Sequence, residues 1–409
     1  MAQTRRALTS SSPHRPGFAF LLGSGISVHA GMPRTSDLSD FLVAGRRVVR
    51  DTQERYRIVP EDHVVPPQER AGNEALMRQL MLLLSQLKAE ADTFYGSSRR
   101  SHYEDWYYLA DQLPGALQGK FDNPAVADFA EKLQRRMARA EVFPMAEKGA
   151  LHRAVNQLCL YMRDIVLESL ALPLKPIKVD WIVRGATDPE APWACQGVFT
   201  LNHDILLETL FEREKLPYTV GFDREIDASG LLHWDRDGLF PKDGRTVIAK
   251  LHGSIDWFHQ NRKGNLDAGA RLDAFRGKGA KSGDALPLLL IGRHNKVLQY
   301  TRFLLEDLHH RFYISLRQSR LLVICGYGFG DEGINARIRD WKYAERSNVI
   351  VYVREEHPFF DFHGANLGFH PDPMAWDADQ TLVHVPRKAE TVTWDEIVAA
   401  VEHRGPLPV

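Results

Sequence analysis

Three patterns of apolar and polar positions divide the chain. Gly17 to Leu22 is an unbroken apolar run that ends in a glycine cluster. A run of that length predicts a buried strand, and the glycines predict a tight turn leading into a helix. Residues 1–16, rich in serine and proline toward their end, read as a loose tail. From about Ser36 to Pro192 the period becomes helical: Leu76, Leu80, Leu83 or Leu84, and Leu87 recur every three to four residues, as do Leu151, Val155, Leu158, Met162 and Ile165. These stripes are expected to be core or oligomer contacts rather than a cofactor pocket.

After Trp193, strands and helices alternate. Gly197–Leu201, Thr246–Leu251, Pro287–Ile291, Leu321–Cys325 and Asn348–Val353 read as strands, and Ile205–Glu214, Val297–Leu316 and Glu332–Tyr343 as helices. Wholly apolar strands separated by helices predict an α/β fold: a Rossmann-like parallel sheet covered by helices on both faces. A large helical insertion, 36–192, follows the first glycine loop and interrupts a domain of residues 17–409. The polar, glycine-containing stretch Gln260–Asp284 reads as a mobile surface loop or lid. There is no internal repeat.

Bulk properties narrow the picture further. With 44% hydrophobic residues in 409, the chain can bury one large core or two modest ones. The 52 basic and 53 acidic side chains leave a formal charge of -1, which gives no reason to expect tight, non-specific binding to nucleic acid. Cys159, Cys195 and Cys325 are too few for a four-cysteine zinc site and too scattered for a secreted disulfide framework, so a reducing cytoplasm is the expected compartment. No stretch approaches the roughly 20 apolar residues that a membrane span requires.

Four segments carry candidate chemistry. In GSGISVHAGMP, Gly23 to Pro33, Gly23 and Gly25 permit a sharp turn and close approach to a ligand, and exposed backbone N–H groups could hold a pyrophosphate. An ordinary strand-to-helix turn accounts for the same residues. In TLNHD, Thr200 to Asp204, Asn202 offers a donor and acceptors suited to a ribose hydroxyl or a water, and Asp204 either adds charge or caps the next helix. In KLHGSIDW, Lys250 to Trp257, His252 stands at a strand's carboxyl end, where a base is well placed, and Gly253 would let a substrate come close. The fourth, ICGYGFGDEGIN, contains Gly328-x-Gly330-x-x-Gly333 after a strand, with Glu355 beyond the next strand. That matches a dinucleotide-binding unit and admits a dehydrogenase, although the 55 residues after Arg354 are too few for a separate catalytic domain. His309 and His310 are adjacent and would point about 100 degrees apart on a helix; His29, His259 and His294 lack partners at ligand spacing, so no metal is expected.

In this order the four segments resemble the sirtuin family, whose members carry a GAG-x-S-x-x-x-G-I-P loop, a T-Q-N-x-D segment, an H-G segment and a late glycine turn. The resemblance implies NAD as substrate, Asn202 and His252 as catalytic residues, and cofactor contacts from Gly23, Ser24, Gly25, Ser27, Gly31, Asp204, Gly326, Tyr327, Gly328 and Phe329. The departures are specific: the family's four zinc-binding cysteines are missing, so no zinc is expected, and Leu201 stands where the glutamine would be. That combination is similar to the bacterial anti-phage branch of sirtuin-like domains. It implies an NAD hydrolase releasing nicotinamide and ADP-ribose, a homo-oligomer, and a stand-alone partner of a HerA-type translocase ATPase. An NAD-dependent protein deacylase and a non-catalytic NAD or ADP-ribose binding module are the alternatives.

Overall fold

The computed structural model describes residues 15–404 except 53, 62–66, 98, 119–123, 140–148, 223–230, 260–268, 273–286, 293 and 357–380. Strand β1 (Gly17–Leu22) is buried throughout, as its apolar run requires. Helix α1 (Thr35–Ala44), the hairpin β2 (Val48–Arg50) and β3 (Tyr56–Ile58), and helices α2 (Pro67–Tyr95), α3 (Tyr103–Leu117), α4 (Pro124–Arg139) and α5 (Ala150–Leu170) follow. After α6 (Asp180–Thr187) come β4 (Ala194–Thr200), α7 (Leu206–Arg213), β5 (Tyr218–Thr219), β6 (Leu231–His233), β7 (Thr246–Lys250), β8 (Gly253–His259), β9 (Gly269–Leu272) and β10 (Pro287–Leu289). The chain continues through α8 (His294–Gln299), α9 (Phe303–Arg317), β11 (Ser319–Cys325), α10 (Glu332–Ala344), β12 (Val349–Val353), β13 (Leu382–Val385) and α11 (Trp394–Glu402).

Seven of these strands form one parallel sheet in the order β13-β12-β11-β1-β4-β7-β5. The fold is therefore α/β, as the alternating pattern predicts, with the helical segment α2–α5 after the first strands. Chain order reverses at β1, whose neighbours β11 and β4 lie on opposite sides, and the carboxyl ends at such a reversal open a crevice.

Two apolar clusters form. One is built on the sheet, from Phe18 to Leu22 through Val351 and Trp394. The other gathers Leu80, Leu83, Leu87, Trp106, Leu158 and Ile165 between α1, α2, α3 and α5. The leucine and methionine stripes are thus core.

Several sequence expectations need correction. The stretch read as wholly helical contains the β2–β3 hairpin, because Asp164 on α5 binds it: its carboxylate accepts from the Arg55 guanidinium at 2.6 Å and from Tyr56 N at 2.9 Å. In the same stretch, α6 packs on the sheet, with Trp181 5.7 Å from Phe20 between ring centres. Pro287–Leu289 is a strand, but it belongs to a separate antiparallel sheet, β10-β8-β9-β6. Of the expected lid, Gly269–Leu272 is β9 of that sheet, and the rest of 260–284 lies outside the described residues. The expected tail is held at its end, where Arg15 donates to the carbonyls of Pro189 and Ala191; residues 1–14 lie outside the description. The single helix expected over Val297–Leu316 is broken between Gln299 and Phe303. Tyr300 is buried there against His309, and Phe303 restarts the helix with φ +50°.

Candidate active site

The two glycine turns touch through their backbones. Gly23 N donates to Cys325 O and Gly25 N to Gly326 O, each at 3.0 Å. A Cβ on Gly23 would lie 2.4 Å from Gly326 O, and one on Gly326, whose φ is +68°, would lie 2.5 Å from Ile26 N. Larger residues would push the turns apart, so glycine is required at this contact.

Below them the carboxyl ends of β4 and β7 bring Asn202 and His252 to a cavity of about 320 Å³. It is lined by Gly23, Ser24 and Ser27 from the first turn and by Gly326, Tyr327 and Gly328 from the second. A second cavity of about 740 Å³ shares Ser24 and Gly326 to Gly328 and is also lined by Gly25 and by Arg354 to Glu356 beyond β12. The wall opposite the sheet comes from the helical core: Leu38, His102, Tyr103, Glu104 and Leu170 face the smaller cavity.

Asn202 is 6% exposed. Its amide donates to Ser27 Oγ at 3.0 Å, and its buried Oδ1 has no partner among the described residues. An unmet buried acceptor costs about 1–3 kcal/mol, so this oxygen is able to accept from a donor beyond the described residues. The Asp204 carboxylate accepts from Leu206 N at 3.0 Å, beside the start of α7, and the residue also lines the cavity. His203 also lines it, and burial, with the charges of His252 and Lys296, keeps its pKa well below the ordinary value.

His252 is buried, with Nε2 2.9 Å from Asp331 Oδ2 and 3.4 Å from the Tyr300 hydroxyl. Burial and the nearby Lys296 ammonium lower its pKa, against the opposing pull of Asp331. Burial also acts to raise the Asp331 carboxyl, but the hydrogen bond and charge of His252, with Lys296 and Tyr300, hold it well below the usual carboxylate range. Tyr300 donates to Asp331, and burial followed by the Asp331 charge keeps its hydroxyl protonated. Lys296 Nζ is paired with Glu104 at 3.0 Å.

Not every residue that the sequence pointed to reaches these cavities. Gly31 ends a short 3-10 turn at φ +89° against the Lys175 side chain and lines neither. Phe329 is packed between Tyr327 and Tyr352, at 4.9 and 5.5 Å, and also lines neither. Gly253 serves packing, since a Cβ there would lie 2.0 Å from Leu288 O on β10. Sequence reasoning missed Tyr300, Asp331, Lys296, Glu104 and His203. Asp331 had a local signal as a helix cap, three residues before Ile334, and its second partner is invisible along the chain.

Among the described residues, no group of three or more His, Cys, Asp or Glu is arranged to hold a metal ion, and no helix is long and apolar enough to cross a membrane.

Asn202 and His252 thus stand at the carboxyl ends of adjacent strands of a parallel sheet, where α/β folds hold their ligands. Residues 196–362, which include Asn202, His252, Tyr300 and Asp331, match a family described as the SIR2-like domain. No curated protein matches the chain. Solved structures similar to it include a triple mutant of Sir2 homologues in complex with 2'-O-acetyl ADP ribose, at 12% identity and a TM-score of 0.38, over 94% of this chain and 92% of that one. A single-site Sir2 homologue mutant bound to ADP ribose matches at 12% identity and a TM-score of 0.34, over 95% and 93%.

Proposed function

We propose that the protein hydrolyses NAD to nicotinamide and ADP-ribose, with Asn202 and His252 as catalytic residues. The observation that carries this reading is the buried Oδ1 of Asn202, without a partner among the described residues, in the cavity that the His252 imidazole also lines. A ribose hydroxyl or a water would supply the missing donor. The adenosine diphosphate portion would lie along the glycine turns and into the larger cavity beside β12.

Nicotinamide is a good leaving group because its departure discharges the pyridinium. The C1'–N bond breaks with its electron pair going to nitrogen, and the sugar carbon becomes oxocarbenium-like. Water, oriented by Asn202, forms the new C1'–O bond while neutral His252 takes its proton. General-base help of this kind is worth about 100- to 10,000-fold in rate. Lys296, close enough to depress the His252 pKa, favours the neutral imidazole that the base step requires.

The same site chemistry would serve a protein deacylase, which also needs an acyl-lysine peptide. NAD turnover measured with and without acylated peptide separates the two: a hydrolase gives equal nicotinamide in both, whereas release only with peptide would replace this reading. Binding of NAD or ADP-ribose with no nicotinamide formed would point to a regulatory module. On the resemblance to anti-phage domains, the proposal extends to an oligomeric effector that depletes NAD beside a HerA-type ATPase. Unchanged cellular NAD during phage infection of cells expressing both proteins would rule that extension out.

A further inference from the structure

We infer that Asp331, with its carboxylate steadied by Tyr300, is a positioning residue that fixes His252 as the Nε2–H tautomer and leaves Nδ1 as the ring's proton acceptor. The inference deepens the proposed hydrolase, and its base rests on that reading, but the tautomer itself does not.

The donor count decides the tautomer. Tyr300 has one hydroxyl proton and gives it to Asp331 Oδ2, so toward His252 Nε2, at 3.4 Å, its oxygen can only accept. An ionised Asp331 carboxylate, 2.9 Å from the same nitrogen, can also only accept. With acceptors alone on that side, the imidazole proton belongs on Nε2. In the neutral ring the lone pair is then on Nδ1.

Other charged and titratable groups around the imidazole agree with a neutral ring. Lys296 on α8 opposes a second cation and is itself paired with Glu104 on α3; His203 after β4 and His309 on α9 are both held neutral by burial. His309 stacks on Tyr300 at 3.8 Å between ring centres and backs it from behind. Gly333 also packs close to this ring, where a Cβ would lie 2.5 Å from Tyr300 Cε2.

Capping alone does not explain an aspartate at this position. Asp331 Oδ1 accepts from Ile334 N at 3.0 Å and so closes the first turn of α10, leaving Oδ2 for His252 and Tyr300. Asparagine caps a helix about as well as aspartate. Asp331→Asn therefore keeps the cap while facing an amide donor toward Nε2, which draws the imidazole proton to Nδ1 and removes the free lone pair.

Two readouts on the full-length chain test this. With 15N-labelled histidine, NMR assigned through His252→Gln is expected to show Nε2–H in the wild type and Nδ1–H in Asp331→Asn. In NAD turnover, Asp331→Asn is expected to lose about 100- to 10,000-fold in kcat with little change in KM. Its acidic limb should move to lower pH, because the carboxylate that stabilised the imidazolium is gone. Tyr300→Phe should move that limb the other way, since Asp331 then keeps its full charge for His252. Nδ1–H in the wild type, or an Asp331→Asn enzyme with unchanged kcat and limb, overturns the inference. Nε2–H in a wild type with no NAD turnover supports the tautomer and sinks the hydrolase reading instead.

Discussion

His252→Ala removes the imidazole beside Asp331 and is expected to cut nicotinamide release by about 100- to 10,000-fold, read by product chromatography, with the fold intact by circular dichroism. The wild-type pH profile provides a second check. A base acts when neutral, and burial with Lys296 lowers the His252 pKa, so kcat/KM should stay level as pH falls to 6.5 and drop only below it. A midpoint above 6.5 would contradict the site's electrostatics. Stability carries the same sign at His309, whose pKa burial, with Arg337 and His252, lowers to about 3. From pH 6.5 down to about 3 the unfolded chain binds a proton there that the folded chain does not, so stability falls with pH across that window. The slope of the urea midpoint against pH should be smaller in His309→Phe; equal slopes would refute the assignment. That Asn202, His252, Gly23 and Gly326 would come together was legible, because each stands at the end of an apolar run and so at the carboxyl end of a parallel strand, and all four line one cavity. Asp331 and Tyr300 were not: one reads locally as a cap and the other as part of a helix, and their shared partner is His252, far away in sequence.

At the scale of elements, the turn carrying Asn202 is fastened from below. Lys250, the last residue of β7, is fully buried, with its ammonium 2.9 Å from Glu208 on α7 and bonded to the carbonyls of His203 and Asp204. Removing one member of a buried pair leaves the other uncompensated. Lys250→Met is expected to cost about 3–5 kcal/mol in urea denaturation, while Lys250→Met with Glu208→Met should recover most of it. A double variant no more stable than the single one would show that the carbonyl contacts, not the charges, dominate. The strands of the large sheet were readable because both faces are buried, giving unbroken apolar runs. The β2–β3 hairpin was hidden inside a helical pattern, since its reason to form is Asp164 on a helix more than a hundred residues later. The break before α9 was equally hidden, because Tyr300 suits a helix and only its burial beside the site turns it out.

Across the whole molecule, the candidate site lies where the two apolar cores meet. The sheet supplies Asn202, His252 and the glycine turns, and the helical core supplies the facing wall and Glu104, joined across the cavity to Lys296. The sequence announced a helical block but not that it would wall the site, because Glu104 and Lys296 are 192 positions apart. Glu104→Gln leaves the Lys296 charge uncompensated beside His252, so the acidic limb of activity should move to lower pH; an unmoved limb would mean the two cores are not electrostatically coupled there. The most direct measurement is chromatography of the products after the purified chain is incubated with NAD alongside its Asn202→Ala and His252→Ala variants. Nicotinamide and ADP-ribose in equal amounts from the wild type, with both variants near background, is the expected result. No nicotinamide from the wild type, or undiminished release from both variants, would contradict it.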